Sequence, residues 1–336
     1  MNAVINHQVR LAARPVGLPR RSDWSFTGEA LRPVADGEFL ARLSHVSLDP
    51  AMRGWMSAAK SYMEPVAVGE VMRAWAVGQV VETKHPDFRI GDPVVGRLGV
   101  QEYAYVQGAG GVRKVDTGLA PPAAHLGPLG MTGMTAYFGL LDVGRPQPGE
   151  TVVVSGAAGS VGSMVGQIAR IKGCRTVGIA GGAGKCRHVV QTLGFDHCID
   201  YKSEDVATAL ARLCPQGVDV YFDNVGGDIL DAVLLHLARK ARVVICGAIS
   251  QYNATGPVKG PSNYFSLLVH RASMTGMLGG DFADRYHEAI PEMAGWMAQG
   301  ILKQPEDVFE GLENFPDVFL KLFSGENLGK LILKIS

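Results

Sequence analysis

A glycine-rich corner between an apolar strand and a helix constrains the fold of this chain most strongly. The run VVVSGAAGSVGSMVGQIAR, residues 152–170, spaces Gly156, Gly159 and Gly162 as G-x-x-G-x-x-G. Glycine lets the backbone approach a ligand closely, and the following helix points its free N–H groups and positive dipole end into the corner. Such a corner is typical of a pyrophosphate site, with Gly162 predicted to let the helix pack tightly on the sheet. A purely structural turn is the alternative.

Strands and helices alternate from this corner onward, which favours dinucleotide binding over the structural turn. Strands are predicted over residues 151–155, 175–180, 197–200, 218–223 and 241–247, and helices over residues 160–172, 185–193, 204–213 and 228–238. Alternation at this spacing indicates right-handed crossovers, and the nearly continuous apolar strands indicate that both faces of the sheet are covered. We therefore predict an α/β fold with a doubly wound parallel sheet.

The regions that flank this pattern differ from it. Over about the first hundred residues, short β-like runs alternate with Gly, Pro and Asp, which predicts an all-β module. The C-terminal GKLILKIS, residues 329–336, is typical of a strand and has no helix after it. We expect this strand to return and pair with the all-β module.

Composition and charge argue against several classes of partner. The 32 basic residues equal the 32 acidic ones, so no net field attracts nucleic acid or an anionic membrane. The N-terminus lacks the apolar core of a signal peptide, and the uncharged stretches at residues 117–141 and 151–169 are interpreted as buried interior because proline or glycine interrupts them. The five cysteines, at positions 174, 186, 198, 214 and 246, have no metal-ligand spacing. We expect a cytoplasmic protein without a metal site.

The end of the second predicted strand indicates which dinucleotide binds. An NAD site carries Asp or Glu about 20 residues beyond the glycine motif, where it binds the ribose 2′-hydroxyl. Residues 178–187 read GIAGGAGKCR and contain no carboxylate, whereas Lys185 and Arg187 supply positive charge. A cation there pairs with a 2′-phosphate, and Tyr201 after the third strand is placed to add a hydroxyl. The sequence therefore predicts NADPH, the alternative being solvated charges at a helix start.

Longer strings carry a family resemblance: SLDPAMRGWM, SYMEPVAVGEVM, GMTGMTAYFGLLDVG, SGAAGSVGSMVGQIARIKGC, FDNVGG, CGAISQYN and FSGENLGKLILK. Over nearly its whole length the chain resembles the zinc-free branch of the medium-chain dehydrogenase/reductase superfamily, which contains leukotriene hydroxydehydrogenase, prostaglandin reductase, curcumin reductase and plant alkenal double-bond reductases. The resemblance implies a GroES-like β-barrel domain formed by residues 1–125 and 300–336 and a Rossmann domain over residues 126–299. It also implies a homodimer joined through edge strands, for which ASMTGML is a candidate.

The resemblance further assigns residues to each part of NADPH. The residues assigned to the pyrophosphate are Gly156, Gly159, Ser160, Val161 and Gly162. Lys185 and Tyr201 would bind the 2′-phosphate, and Asn224 the central portion. The residues assigned to the nicotinamide half are Cys246, Gly247, Ala248, Ile249, Ser250, Tyr252, Met277, Leu278, Gly279 and Asn327.

Three features of the chain depart from patterns in its relatives. Relatives with zinc carry an N-terminal cysteine and a GHE triplet, whereas this chain has no cysteine before Cys174 and has Gly69 followed directly by Glu70. Thr132 and Met134 replace residues of the usual family string GMPGLTAY. Without the N-terminal cysteine and the GHE triplet, the sequence lacks the parts needed for metal-dependent alcohol chemistry.

Without zinc to polarise a carbonyl, the easier hydride acceptor is a C=C bond conjugated to one. Hydride added to the β-carbon leaves an enolate, which a hydrogen-bond donor stabilises while the α-carbon takes a proton, for instance from water. Tyr252 is the first candidate donor and Tyr62 the second, although each is also consistent with a packed ring whose hydroxyl lies at the surface. We predict an NADPH-dependent reductase of α,β-unsaturated ketones and aldehydes; an NADPH quinone reductase and a non-catalytic NADPH-binding protein are the alternatives.

Overall fold

The computed structural model describes residues 3–108 and 110–335. The strands are β1 (Ile5–Leu11), β2 (Trp24–Ala30), β3 (Glu38–Ser47), β4 (Ala76–Thr83), β5 (Pro93–Gly96), β6 (Tyr103–Gln107), β7 (Val112–Lys114), β8 (Thr151–Ser155), β9 (Arg175–Ala180), β10 (His197–Asp200), β11 (Val218–Asp223), β12 (Leu237–Ile245), β13 (Ser273–Gly276), β14 (Glu306–Glu310) and β15 (Lys330–Lys334). The helices are α1 (Ala51–Trp55), α2 (Met131–Phe138), α3 (Ser160–Ile171), α4 (Ala183–Gln191), α5 (Val206–Leu213), α6 (Gly227–Leu234), α7 (Ser266–His270), α8 (Tyr286–Ala298) and α9 (Phe315–Ser324). The chain divides into two compact units, one of residues 1–126 and 306–336 and the other of residues 127–305.

The unit of residues 127–305 is built around a six-stranded parallel sheet. Its strand order is β10-β9-β8-β11-β12-β13, which corresponds to 3-2-1-4-5-6 within the unit, the order of a Rossmann fold. Val153 of β8 packs with residues of α5 and α6 in one apolar core. Val152 and Val154, on the opposite face of the same strand, are equally buried. The predicted doubly wound parallel sheet is therefore confirmed.

The unit of residues 1–126 and 306–336 is mainly β structure. Its larger sheet has the order β14-β15-β3-β4-β5-β7, β6 pairs with β3, and β1 pairs with β2 as a separate two-stranded sheet. The core of this unit includes Trp24, whose ring packs edge-on against Phe315 and Phe319 at centroid distances of 5.4 and 5.8 Å. The C-terminal strand β15 pairs antiparallel with β3, as predicted, with Ile332 opposite Ser47.

Some element ends differ from the predicted ones because contacts distant in sequence determine them. The predicted helix over residues 228–238 is wrong at its end: α6 stops at Leu234, and β12 begins at Leu237, which pairs with Val218 of β11. The predicted helix over residues 204–213 begins only at Val206, because the Asp205 carboxylate caps it by accepting a hydrogen bond from the Thr208 N–H at 2.8 Å.

The two long uncharged stretches do not form continuous helices. Residues 151–169 are divided between β8, which is buried throughout, and α3. Within residues 117–141 the α-helical part is α2, which is eight residues long. Among the described residues, no helix combines the length and the apolar character needed to cross a membrane.

Candidate functional site

The turn between β8 and α3 is tight because three of its positions have no side chain. Gly156 has a φ of +62°, which favours glycine. A Cβ on Gly162 would lie 2.3 Å from the Gly156 carbonyl oxygen and 3.1 Å from the Ala157 Cα, and one on Gly159 would lie 3.2 Å from that same oxygen. Gly162 therefore lets the start of α3 lie directly against the segment that follows β8.

The N-terminus of α3 supplies backbone donors to this turn. The Ser163 N–H donates to the Gly159 carbonyl at 3.0 Å in the first turn of the helix. The N–H groups of Ser160, Val161 and Gly162 therefore precede the first intrahelical bond, and the dipole of the 12-residue helix adds partial positive charge at the same end. A cradle of backbone donors next to a turn without side chains fits the pyrophosphate of a dinucleotide.

A chain of side-chain hydrogen bonds holds the Ser160 hydroxyl at this helix end. The Gln304 side-chain amide donates to Ser160 Oγ at 2.9 Å, and Ser160 Oγ donates to Thr132 Oγ1 at 3.1 Å. Thr132 in turn donates to the Gly127 carbonyl at 3.2 Å. The sequence identified Thr132 only as a departure from the family string and missed Gln304, since no local spacing links residues 144 positions apart.

The end of β9 brings together the residues predicted to bind the 2′-phosphate. Lys185 lies half-buried in the first turn of α4. Tyr201 lies close to the loop before this helix, since a Cβ on Gly181 would be only 2.8 Å from the Tyr201 hydroxyl. Arg187, two residues further along α4, is exposed. Lys185 and Tyr201 thus occupy the same end of the sheet, as the sequence analysis requires.

One carboxylate near this loop is not indicated by the sequence of residues 178–187, because it lies on the next strand. Asp200, at the end of β10, accepts hydrogen bonds from the backbone N–H groups of Gly182 at 2.7 Å and Lys202 at 3.1 Å. The bond from Gly182 contributes most to holding the pKa of Asp200 below its usual range. The carboxylate therefore stays ionised at neutral pH and anchors the loop before α4.

Polar groups join the ends of β8 and β11, where the strand order reverses. Asn224 donates from its side-chain amide to the Ser155 carbonyl at 2.7 Å and from its backbone N–H to Ser155 Oγ at 2.9 Å. Ser155 Oγ donates to the buried Asp223 carboxylate at 2.9 Å. Asn224 also faces the glycine turn, because a Cβ on Gly156 would lie 3.5 Å from its Cβ. Ligands of open α/β sheets bind at this kind of reversal point.

The segment after β12 lies against the end of β11. Cys246 and Gly247 donate their N–H groups to the Asp223 carbonyl at 2.9 and 3.1 Å, and Ser250 Oγ donates to the Val225 carbonyl at 2.6 Å. Burial, with a smaller contribution from the Asp223 carboxylate, raises the pKa of the Cys246 thiol to about 12. This thiol therefore stays protonated at neutral pH.

Tyr252 turns its hydroxyl back toward this segment. The Ala248 N–H donates to the Tyr252 hydroxyl oxygen at 3.2 Å. A Cβ on Gly247 would lie 2.9 Å from the same oxygen, so glycine makes room for the ring and its hydroxyl. The hydroxyl is thus held at the end of β12 rather than directed into bulk solvent.

The segment from Met277 to Gly279 continues from the neighbouring strand β13. The Met277 N–H donates to the Ile245 carbonyl of β12 at 3.1 Å, and Met277 and Gly279 are buried. A Cβ on Gly279 would lie 2.3 Å from Thr135 Oγ1, so this glycine packs closely on α2. Leu278, between them, is half-buried.

Two residues predicted for the site, Tyr62 and Asn327, belong to the unit of residues 1–126 and 306–336. Tyr62 is 56% exposed, and its hydroxyl accepts a hydrogen bond from the Trp55 ring nitrogen at 3.3 Å. Asn327 donates from its side-chain amide to the Gly329 carbonyl at 3.4 Å. Across residues 3–108 and 110–335, no three His, Cys, Asp or Glu side chains are grouped as a metal site.

The chain is similar to known oxidoreductases along most of its length. Residues 7–115 match a family described as the N-terminal domain of oxidoreductase, and residues 160–297 match one described as zinc-binding dehydrogenase. The NADPH-dependent curcumin reductase of Escherichia coli K12 is 43% identical, over 98% of this chain and 97% of that protein. The NADP(+)-dependent 2-alkenal reductase of Nicotiana tabacum is 37% identical, over 99% of this chain and 98% of that protein.

A solved structure has the same fold as this chain. The crystal structure of CurA from Vibrio vulnificus in complex with NADPH superposes with a TM-score of 0.93 and 45% sequence identity. The match covers 98% of this chain and 99% of CurA. Similarity of this extent relates both units to those of CurA, including the GroES-like domain that the sequence predicts.

Proposed function

Because the chain belongs to the prostaglandin reductase and curcumin reductase branch of the medium-chain dehydrogenase/reductase superfamily, we propose that it reduces the conjugated C=C bond of α,β-unsaturated ketones and aldehydes. It is an NADPH-dependent oxidoreductase, like its relatives. A 2-alkenal is by definition such an aldehyde, and the relative named for it is 37% identical. The observation that carries the proposal is the Tyr252 hydroxyl, held beside Gly247 and Ala248 in the segment after β12, a strand of the sheet that bears the glycine turn.

The turn between β8 and α3 is suited to the pyrophosphate of NADPH. The N–H groups of Ser160, Val161 and Gly162 donate at a helix N-terminus, and Gly156 and Gly159 leave the backbone accessible. When bound, NADPH supplies the hydride that reduces the substrate. The Ser160 hydroxyl donates its hydrogen to Thr132 and accepts from Gln304, so it holds the helix end in place while the backbone N–H groups serve the phosphates.

Lys185 and Tyr201 would bind the 2′-phosphate that distinguishes NADPH from NADH. A lysine ammonium makes a charge-assisted bond to a phosphate, and Tyr201 adds a neutral donor next to the same loop. The nearby Asp200 carboxylate is engaged by two backbone N–H groups, which offset its charge. These contacts support a preference for NADPH.

Other predicted contacts would orient the rest of the cofactor. Asn224 lies beside Gly156 where the strand order reverses, which suits the central portion of NADPH. The segments of residues 246–252 and 277–279 follow neighbouring strands of the same sheet and would hold the nicotinamide half. Their glycines, Gly247 and Gly279, allow close backbone packing at these strand ends.

Tyr252 would act on the negative charge that develops during reduction. As the β-carbon gains hydride, the carbonyl oxygen of the substrate becomes an enolate oxygen, and the Tyr252 hydroxyl donates a hydrogen bond to it. The Ala248 N–H donates to the same phenol oxygen, which orients the hydroxyl and makes it a better donor. Water then supplies the proton at the α-carbon.

Steady-state kinetics of Tyr252→Phe test this role. We expect kcat with a 2-alkenal to fall about a hundredfold while KM changes little, because an oxyanion donor acts mainly in the transition state. Tyr62→Phe tests the second candidate, and Tyr103→Phe, in β6, is a matched control that removes a hydroxyl elsewhere. An unchanged kcat in Tyr252→Phe would exclude this residue from the chemistry.

The choice of substrate separates the proposal from its alternatives. An enone reductase turns over a 2-alkenal or an enone much faster than benzoquinone at equal concentration, and a quinone reductase shows the reverse order. A non-catalytic NADPH-binding protein would bind the cofactor and oxidise it with neither substrate.

We also propose that the protein is a homodimer joined through the edge strand β13. β13 ends the six-stranded sheet, so one of its edges is unpaired within the unit. The neighbouring segment around α7 exposes Tyr264, Phe265, Leu268 and Val269, with Leu268 68% exposed. An apolar patch next to an open sheet edge favours association with a second copy, which would cover both.

A further inference from the structure

Two cysteine side chains meet at the other edge of the parallel sheet. Cys186 lies in the first turn of α4, and Cys198 lies in β10, which is the edge strand at that side. Their sulfur atoms are 3.2 Å apart, although the residues are 12 positions apart in sequence. The function proposed above uses neither thiol.

Small solutes have access to this pair. Both cysteines are half-buried and line an open pocket of about 410 Å³, whose wall also contains Arg187, Asp200 and Glu204. Cys174 and Cys214, in contrast, are buried. Reagents of the size of hydrogen peroxide therefore reach the pair from solvent.

The contact between the thiols gives them different roles. Burial raises the pKa of both, and the carboxylates of Asp200 and Glu204 raise that of Cys186 further. The S–H group of Cys198 donates to Cys186 Sγ, which lowers the pKa of Cys186 and raises that of Cys198. Cys186 is therefore the thiol that ionises first, and only the thiolate attacks an oxidant.

We propose that Cys186 and Cys198 are a reversible dithiol that a hydroperoxide oxidises to an intramolecular disulfide. The Cys186 thiolate attacks a peroxide oxygen, the O–O bond breaks, and a sulfenic acid forms while the released hydroxide or alkoxide takes up a proton. The Cys198 sulfur then attacks Cys186 Sγ, the S–S bond forms, and the sulfenic oxygen leaves as water. With hydrogen peroxide, two thiols lose two electrons and two protons, and the peroxide becomes two waters.

Closing the disulfide would displace the start of α4. The sulfurs must approach by about 1 Å to reach the S–S bond length of roughly 2.05 Å. Strand β10 is fixed by its parallel pairing with β9, whereas α4 begins within the glycine-rich sequence Gly181-Gly182-Ala183-Gly184, where few side chains hold it against its neighbours. The movement therefore falls mainly on α4, which carries Lys185. Oxidation should then weaken NADPH binding; this consequence rests on the proposed role of Lys185, but disulfide formation does not.

Mass spectrometry of the full chain tests the disulfide directly. Reduced protein is treated with hydrogen peroxide at mildly alkaline pH, where more Cys186 is ionised, then alkylated and digested. We expect a linked peptide pair, lighter by two hydrogen atoms, that dithiothreitol reverses. Cys198→Ser should stop at a sulfenic acid on Cys186 that dimedone traps, and Cys174→Ser should behave like the parent. Recovery of both thiols unmodified, or linkage of either to another cysteine, would overturn the proposal.

Titration with NADPH tests the coupling to the cofactor. We expect the dissociation constant of NADPH for the oxidised parent to rise about fivefold. A charge-assisted contact such as that of Lys185 typically contributes roughly tenfold or more in affinity, and displacement of α4 would remove part of this contribution. Peroxide-treated Cys198→Ser should keep the affinity of the reduced protein. A disulfide that forms without changing the affinity would overturn the coupling alone, whereas a reduced parent that fails to bind NADPH would overturn the proposed function instead.

Discussion

At the scale of single residues, we propose that the preference for NADPH depends on Lys185. The residue lies half-buried in the first turn of α4, in a loop region that Tyr201 also approaches. The nearest carboxylate along the loop, Asp200, is already bonded to backbone N–H groups. The Lys185 ammonium would therefore bind a 2′-phosphate strongly. An unphosphorylated 2′-hydroxyl would gain little from the same contact.

We expect Lys185→Ala to raise the dissociation constant of NADPH about tenfold or more and to leave that of NADH nearly unchanged. The reason is that a hydrogen bond to a charged group typically contributes roughly 1.5–3 kcal/mol. Calorimetric titration of both cofactors measures this, and Arg187→Ala, which removes an exposed cation from the same helix, is the control. An NADPH affinity within about twofold of the parent would contradict the assignment.

At the scale of elements, we propose that the turn between β8 and α3 binds the pyrophosphate of the cofactor. Gly162→Ala should lower the free energy of unfolding by about 1–3 kcal/mol and weaken NADPH binding, because overpacked sites cost this much. Its Cβ would lie 2.3 Å from a backbone oxygen, which no side-chain rotation relieves.

Denaturant unfolding and NADPH titration measure these two effects. Gly295→Ala, within α8, is the matched control: its Cβ would meet nothing within 4 Å, so it should leave stability equal or higher by about 0.5–1 kcal/mol. Equal stability of Gly162→Ala and the parent would show that the turn has room for a side chain.

How much the sequence predicts depends on how local the physical cause is. The glycine turn and the strands β8 to β11 follow from neighbouring residues and were predicted at their observed positions, whereas β12 begins at Leu237, before its predicted start, and β13 was indicated only as a candidate edge strand. The end of α6 is set by the pairing of Leu237 with Val218, which no local pattern indicates. Two hydrogen bonds likewise join residues that only the fold brings together. Gln304 donates to Ser160, and the Gly182 N–H donates to Asp200.

At the scale of the whole molecule, the proposed homodimer is tested by light scattering after size-exclusion chromatography. We expect a molar mass about twice that of the 35.8 kDa chain. Leu268→Asp should shift the protein toward monomer, because it places a charge in the apolar patch beside β13. Ile90→Asp is the control, since Ile90 is 70% exposed in the other unit. A monomeric parent would exclude the dimer.

The proposed reaction delivers hydride to the β-carbon of a conjugated carbonyl compound. The most direct measurement uses NADPH deuterated at the transferring position of the nicotinamide C4 with a 2-alkenal, and locates the label in the product by NMR. We predict a saturated aldehyde with deuterium at the carbon β to the carbonyl. An allylic alcohol with deuterium at the former carbonyl carbon, or oxidation of NADPH without label in any product, would show that the protein does not reduce the conjugated C=C bond.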